Sequence, residues 1–345
     1  MKHASLLLAT ASAAPPAMAA LPMHYLQTFG PAGDPVTRLT WGLLALSLLV
    51  CAVIGGLVLL GVFRRRPPLA PLPDGRQPLV KGGHGMRWIA IGTGISGIAL
   101  FASAVWTIMV LAAIAAPPRP PALDVEVTGK QWWWEVRYPG ATPDQDVVTA
   151  NEIHIPVGEP VRIRLVGGDV IHSFWIPQLG GKTDMIPGQV NVTWLQADKP
   201  GRYRGQCAEY CGLQHAHMAL TVVADERDAF AAWRRAQQAP AGTPADGFAL
   251  QGKEVFAARC ARCHAVRGMP PPRKDDAGED GEPGPDLTHL MSRRTLAGGT
   301  LPNGIGALGG WIADPQALKP GARMPAVKLA PEDLRALLAY LQTLD

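Results

Sequence analysis

The sequence predicts a multi-domain membrane protein: a two-helix transmembrane hairpin, an all-β domain and then an all-α domain. Two long apolar runs without a charged residue, 41–63 and 88–115, predict the two helices. From about residue 120, short runs rich in Val, Ile, Trp and Thr are separated by Gly, Pro, Asp and Asn, a pattern typical of a β-sandwich or barrel. Helical patterns return after about residue 248, so a mostly helical unit follows.

Each apolar run is longer than the roughly 20 residues that a helix needs to cross the hydrocarbon core of a bilayer. Two buried core helices are the alternative, which such long uncharged runs disfavour. Basic residues crowd the loop between the runs, so this loop is predicted to be cytoplasmic and everything after about residue 117 to lie outside. We therefore expect a hairpin over 38–116 in a bacterial inner membrane, with the later domains on the periplasmic side.

The first 19 residues have the features of a signal peptide. Lys2 precedes a brief apolar stretch, and Ala17-Met18-Ala19 fits the small-x-small pattern of a cleavage site. An uncleaved terminus is the alternative. The stretch is too short to span a bilayer in either case.

The exported part divides where the composition changes. A β-rich domain is expected over 120–238, a linker without periodicity over 239–247, and the helical domain over 248–345. The formal net charge is only +4, and no basic patch is interleaved with aromatic residues. These features give no reason to expect a nucleic acid partner.

The strongest chemical signal is the segment CAEYCGLQHAHM, which runs from Cys207 to Met218. It places two thiols, the His215 imidazole and a thioether close together, and His172 lies upstream as a second imidazole. Soft sulfur ligands with imidazole suit copper and disfavour magnesium or calcium. One tetrahedral zinc could use two Cys and two His, but it would leave Met218 unexplained unless this methionine belongs to the core. Two copper ions bridged by Cys207 and Cys211, each with one His, are the favoured interpretation.

A second motif, Cys260-Ala261-Arg262-Cys263-His264, has the C-x-x-C-H spacing of covalent haem attachment. The two thiols would bond the haem vinyl groups, and His264 would bind the iron. A redox dithiol or a zinc pair is the alternative, which the adjacent histidine and the export signal disfavour. A sixth ligand could come from Met269, Met291 or Met324.

The pattern Cys207-x-Glu209-x-Cys211-x3-His215-x2-Met218, with His172 in DVIHSFWIP, closely resembles the dinuclear copper site of cytochrome c oxidase subunit II. With GKTDMIPGQVNVTW, GRYRGQC and the hairpin, the resemblance covers about residues 30–230. It implies a cupredoxin-like sandwich. It also implies that Cys207 and Cys211 bridge two coppers. One copper would also have His172 and Met218 as ligands, and the other would have His215 and the Glu209 carbonyl. The Glu209 side chain would help bind magnesium at the contact with the catalytic subunit.

The same resemblance gives a role to the aromatic run 132–134. Three consecutive tryptophans cannot all face a sandwich core, because side chains alternate along a strand. In the family, the first aromatic residue of this cluster is where cytochrome c delivers electrons, and this position corresponds to Trp132. The family usually has tyrosine where this chain has Trp133.

Residues 248–345 resemble class I cytochromes c. In that family a Met-Pro pair supplies the axial sulfur, and Met324-Pro325 matches it just before the last predicted helix. The segment Gly284-Pro285-Asp286-Leu287 resembles the loop whose proline carbonyl holds the proximal imidazole. The iron would then have His264 and Met324 as axial ligands, a pair that raises its reduction potential.

Together the two resemblances imply subunit II of a terminal oxidase with a fused cytochrome c, the caa-type arrangement. Electrons from a soluble or membrane cytochrome c would pass through haem c and the coppers to subunit I, with subunit III as a further partner. A stand-alone membrane-tethered carrier is the main alternative. A nitrous oxide reductase-like enzyme, a copper-storage protein and a quinol-oxidising relative fit less well. Residues 85–110 contain no Asp or Glu, so the proton-uptake glutamate of many relatives has no counterpart.

Overall fold

The structure is a computed structural model that describes residues 23–65, 85–270 and 284–345. The signal peptide expected over 1–19 lies outside these residues, as does most of the basic loop between the helices. Within them, the chain folds into two apolar helices, a β-sandwich and a helical domain, in the order that the sequence predicts.

The two N-terminal helices, α1 (Asp34–Phe63) and α2 (Gly85–Ile114), are each 30 residues long. Their apolar windows have a mean hydropathy of 2.9 and 2.2, and their side chains are almost entirely exposed, so both are long and apolar enough to cross a membrane. They pack together at Gly42, where an added Cβ would lie 2.4 Å from the Trp106 ring. The absence of a side chain there lets the indole lie against the α1 backbone.

The β domain has ten strands in two five-stranded sheets. The first sheet has the order β3-β2-β1-β5-β8, and the second has the order β4-β10-β9-β6-β7. The strands are β1 (Leu123–Lys130), β2 (Trp133–Tyr138), β3 (Val147–Ala150), β4 (Glu152–Pro156), β5 (Val161–Gly167), β6 (His172–Trp175), β7 (Thr183–Met185), β8 (Val190–Leu195), β9 (Gly201–Cys207) and β10 (Ala219–Asp225).

Alternating burial along the strands explains why this sequence forms a sandwich. On β1, Val125 and Val127 are fully buried while Asp124 is exposed, as period-2 side-chain geometry requires. Trp134 and Tyr138 on β2 are also fully buried and fill the space between the sheets. Of the three consecutive tryptophans, Trp134 is the one in the core.

An amphipathic helix, α3 (Arg227–Gln238), closes one end of the sandwich. Trp233 stacks on the His154 imidazole with a centroid separation of 4.1 Å, and Phe230 packs beside it. His154 also hydrogen-bonds the Asp225 carboxylate through Nδ1 at 2.7 Å. His154 therefore has a structural role beneath α3.

The helical domain contains α4 (Gly247–Arg259), β11 (Thr295–Leu296), β12 (Leu301–Pro302), α5 (Ile305–Ala313), α6 (Pro315–Leu318) and α7 (Pro331–Leu341). Its core forms where α4 crosses α7, with the Phe256 and Tyr340 rings 5.4 Å apart. The backbones meet at Gly252, where an added Cβ would lie 1.9 Å from the Ala336 carbonyl oxygen.

The β domain and the helical domain contact each other directly. The Ala219 N–H donates to the Gly298 carbonyl at 2.9 Å, and the Arg294 N–H donates to the Glu152 carboxylate at 2.7 Å. The Arg267 guanidinium donates to two carbonyls of the loop before β3. The linker therefore joins two domains that share an interface.

We predict that Gly252→Ala destabilises the helical domain by about 1–3 kcal/mol, the usual cost of overpacking a tight contact. The new methyl group has no space because the Ala336 carbonyl is backbone and cannot rotate away. Denaturant unfolding of the purified chain, followed by far-ultraviolet circular dichroism, measures the change. Gly247→Ala in the same helix is the control, because its Cβ meets nothing within 4 Å. Equal stability of the two variants would contradict the close-contact explanation.

Candidate copper and haem sites

The predicted copper ligands lie in and beneath the loop between β9 and β10. Cys207 is the last residue of β9, and Met218 immediately precedes β10. The Cys207 N–H donates to the Met218 carbonyl at 2.9 Å, so the two ends of the loop are joined by a backbone hydrogen bond. Gly212 has φ +113°, a conformation that favours glycine, and it turns the loop back towards β10.

The two thiols form the centre of the site. Cys207 Sγ and Cys211 Sγ are 3.8 Å apart, and both residues are buried. A hydrogen bond from Cys211 lowers the pKa of Cys207 to about 3, and the same hydrogen bond raises the pKa of Cys211. The pair thus shares one proton, which a metal cation bound between the sulfurs would displace.

Four further donor atoms surround these sulfurs. His172 Nδ1 and the Glu209 carbonyl oxygen lie 3.9 and 3.2 Å from Cys207 Sγ. His215 Nδ1 and Met218 Sδ lie 3.6 and 3.9 Å from Cys211 Sγ. All six predicted donors therefore meet at one place, although His172 comes from the distant strand β6. Two thiolates, two imidazoles, a thioether and a carbonyl fit copper, whereas a single tetrahedral zinc would leave two of them without a role.

Two polar residues of the loop are turned away from the sulfurs. The Glu209 carboxylate is about half exposed, with its Oε2 3.9 Å from the Lys182 ammonium. His217 is exposed and shares a 2.6 Å hydrogen bond with the Gln214 side chain. The backbone carbonyl of Glu209 faces the thiols, while its side chain faces solvent.

A second site lies in the helical domain, in a cavity of about 530 Å³. Cys260, Cys263 and His264 line it directly after α4. The His264 ring donates from Nδ1 to the Pro285 carbonyl at 2.8 Å, which leaves Nε2 as a ligand atom. Burial lowers the pKa of His264, so the ring is neutral, the form that binds iron. The Gly284 backbone lies against the His264 ring, and an added Cβ there would be 2.5 Å from the ring.

The three candidate axial methionines have different positions. Met324 lines the cavity together with the attachment cysteines. Met269 accepts a 3.4 Å hydrogen bond from the Tyr340 hydroxyl, and Met291 packs against the core of the domain. Among the described residues that line the cavity, Met324 is the methionine available to an iron. An apolar cavity with two thiols, a neutral imidazole and a thioether fits a covalently attached haem.

Comparison with known proteins agrees with this geometry. The family described as cytochrome c oxidase subunit II, periplasmic domain, matches residues 142–225, and the cytochrome c family matches residues 249–345. The chain therefore combines a cytochrome c oxidase subunit II domain with a cytochrome c domain.

Two curated relatives are both called cytochrome c oxidase subunit 2. The one from Alkalihalophilus pseudofirmus is 41% identical over 64% of this chain, and the one from a Bacillus species is 34% identical over 64%. The chain covers 60% and 62% of their lengths. A crystal structure of the periplasmic domain of subunit II of cytochrome oxidase from Bradyrhizobium japonicum is 34% identical, covers 35% of this chain and 96% of that one, and has a TM-score of 0.33.

One important residue of the subunit II domain is absent from the sequence predictions. Asp169 accepts a 2.7 Å hydrogen bond from His172 Nε2, which turns His172 Nδ1 towards the thiols. Burial opposes ionisation of this carboxyl, but hydrogen bonds from His172 and from backbone N–H groups outweigh it and lower the pKa of Asp169. Gly129 makes room for the ring, since a Cβ there would lie 2.9 Å from it. Asp169 precedes His172 by three residues, and this short spacing is the sequence feature that could have indicated the hydrogen bond between them.

We predict that Asp169→Asn weakens copper binding about 10–100-fold, the usual effect of losing a group that orients a metal-bound histidine. The amide cannot supply the same charged acceptor, so the imidazole loses its fixed orientation. Competition titration of copper against a chelator measures the affinity. Asp124→Asn is the control, because Asp124 pairs with Arg162 on the exposed face of β1. A normal affinity in Asp169→Asn would contradict the orienting role.

Proposed function

We propose that this chain is the electron-transfer subunit of a terminal cytochrome c oxidase. Electrons from a cytochrome c donor would reach its own haem c, pass to a dinuclear copper centre and continue to a catalytic subunit that reduces oxygen to water and pumps protons. One observation carries this proposal: Trp132 lines the haem cavity and also hydrogen-bonds the backbone of the copper ligand Cys211.

In the proposed copper centre, the Cys207 and Cys211 thiolates would hold both coppers. His172 and Met218 would complete the ligands of one copper, and His215 and the Glu209 carbonyl those of the other. Bound copper supplies reversible one-electron chemistry. The chain supplies rigidity, because the loop is closed by backbone hydrogen bonds and its core donors are buried. Fixed ligands limit the rearrangement that accompanies a change of charge.

In the proposed haem centre, Cys260 and Cys263 would hold the porphyrin covalently, and His264 and Met324 would bind the iron. A methionine–histidine pair raises the reduction potential of the iron. The Pro285 carbonyl fixes the His264 ring, and the lining of the cavity is mostly apolar. These features suit an electron carrier rather than a site that binds oxygen.

Trp132 is the proposed point where electrons enter the copper domain, and this chain's own haem would be their source. The indole N–H donates to the Cys211 carbonyl at 3.0 Å, and the Gln131 side chain donates to the same carbonyl at 2.7 Å. The cytochrome c domain lies against the other side of the ring, where a Cβ on Gly321 would be 3.6 Å from it. A separate donor would therefore dock on the cytochrome c domain.

The remaining assignments follow from this proposal. Subunit I and subunit III would be partners of the subunit II domain. The Glu209 carboxylate would help bind magnesium at the contact with subunit I. The domains would be a signal peptide over 1–19, a membrane hairpin over 38–116, a copper domain over 120–238, a linker over 239–247 and a cytochrome c domain over 248–345. The copper domain and the cytochrome c domain would lie on the periplasmic side of the inner membrane.

We predict that Cys211→Ser abolishes the signal of an electron shared between two coppers, because the bridging thiolate contacts both metals. Electron paramagnetic resonance of the purified complex tests this. The same variant should still accept electrons at its haem, but oxygen consumption should be lost. Cys51→Ser is the control, because Cys51 lies exposed on α1. Oxygen consumption that persists without the shared-electron signal would contradict the proposed path, and purification without any haem-bearing partner would favour a stand-alone carrier.

We predict that Met324→Ala keeps the haem covalently attached but lowers its reduction potential, by an amount on the order of tenths of a volt, since axial ligands set haem potentials over about 0.8 V. The sulfur-to-iron charge-transfer band of the ferric protein should disappear. Optical redox titration and absorption spectra measure both effects. Met291→Ala, which removes a core methionine, should change neither. The opposite result for the two variants would show that Met291 is the ligand.

A further inference from the structure

A buried lysine lies where the cytochrome c domain meets the copper domain. Lys319 directly follows α6 and is only 3% exposed. Its ammonium donates to the backbone carbonyls of Trp132 at 2.8 Å, His217 at 2.8 Å and Ala297 at 2.7 Å. An ammonium has three N–H donors, so all of them are used on main-chain oxygens.

Keeping this cation buried is costly. Burial lowers the pKa of Lys319 to about 7, and the salt bridges found among the described residues include none to this lysine. A buried charge is normally paired with an opposite charge or fully hydrogen-bonded. Here the three carbonyls satisfy it, and an apolar replacement would leave all three without this donor. The side chain is therefore suited to holding three backbone segments together.

The three segments are those on which the proposed electron path depends. Trp132 belongs to the turn between β1 and β2, and His217 lies in the copper loop between His215 and Met218. Ala297 belongs to the cytochrome c domain. At Gly298 the backbones come so close that an added Cβ would lie 2.9 Å from the Trp132 carbonyl oxygen. A single ammonium thus joins the Trp132 backbone, the loop between β9 and β10 and the cytochrome c domain.

Adjacent hydrogen bonds cross the same interface. The Gln214 side chain of the copper loop donates to the Pro320 carbonyl at 2.7 Å, next to Lys319 in the chain. The Ala219 N–H, directly after the ligand Met218, donates to the Gly298 carbonyl at 2.9 Å. The Lys319 contacts are therefore the buried centre of a continuous patch of hydrogen bonds between the domains.

We propose that Lys319 is a positioning residue that holds the cytochrome c domain against Trp132 and so fixes the geometry of electron transfer within the chain. This inference rests on the proposed function. Lys319 itself carries no electron and binds no metal. It acts by holding the Trp132 and His217 backbones against the Ala297 segment.

The test compares wild type, Lys319→Met and Lys328→Met in the complete, cofactor-loaded complex. Lys328→Met removes the same charge from an exposed position of the same domain. The first readout is amide hydrogen exchange of the segments that contain Ala219 and Gly298. In Lys319→Met we expect protection there to fall about tenfold or more, since hydrogen bonds to charged groups are individually strong. The second readout is the rate of haem-to-copper electron transfer after flash photoreduction. It should fall about tenfold or more, because losing the three hydrogen bonds loosens the fixed geometry between the two domains.

Lys319 also lines the haem cavity, so the haem potential is measured in every variant and the transfer rates are compared at equal driving force. The copper resonance signal should be unchanged in Lys319→Met, which separates positioning from damage to the copper centre. Lys328→Met should match wild type in every readout. Unchanged exchange or an unchanged transfer rate in Lys319→Met would overturn the proposal, as would an altered haem potential that accounts for the slower rate. If wild type shows no haem-to-copper transfer, the proposed function fails, while hydrogen exchange still reports whether Lys319 holds the domains together.

If Lys319→Met does not accumulate with its cofactors, Lys319→Gln is measured in the same way. The glutamine amide keeps two N–H donors but no charge. We expect smaller losses of protection and rate in the same direction. Wild-type values for both readouts in Lys319→Gln would overturn the proposal.

Discussion

The hydrogen bond between the Cys207 N–H and the Met218 carbonyl is the constraint on which the rest of the structure depends. It closes the loop at the ends of β9 and β10, and within the closed loop Cys211 lies beside Cys207 and His215 lies beside Cys211. The same closure directs the outer backbone of the loop, including the His217 carbonyl and the Ala219 N–H, towards the cytochrome c domain. The loop between β9 and β10 thus contributes both to the predicted copper site and to the interface with the cytochrome c domain.

The site combines rigidity with buried polarity. His172 is fully buried, and its second nitrogen is held by Asp169, whose other hydrogen bonds come from backbone N–H groups of neighbouring turns. Such satisfied polar networks fix side-chain orientation, because any displacement leaves a buried group without its partner. The His172 ring therefore cannot turn without breaking the Asp169 hydrogen bond. A copper centre held by these residues would therefore rearrange little when its charge changes.

Trp132 lies where the cytochrome c domain packs against the copper domain. The indole lies between the haem cavity and the Cys211 carbonyl, and Gly321 of the cytochrome c domain packs on its ring. Contacts with the covalently linked cytochrome c domain therefore cover this side of Trp132. Under the proposed function, the geometry of that interface would govern electron transfer to copper.

The sequence by itself determined the features that depend on short spacings. Apolar length predicted α1 and α2, the Cys207–Met218 pattern placed five donors in one loop, and C-x-x-C-H predicted the haem attachment, because a few bonds of backbone limit where such side chains can go. The resemblance also named His172 and Met324, but tertiary structure decided how these distant groups reach the sites and which further groups join them. Strand pairing in the second sheet brings His172 beside Cys207, the turn before β6 adds Asp169, and helix packing leaves Met324 rather than Met291 at the cavity. Lys319 carries no sequence signal, since a lysine acquires its role only when three separate backbone segments converge on it.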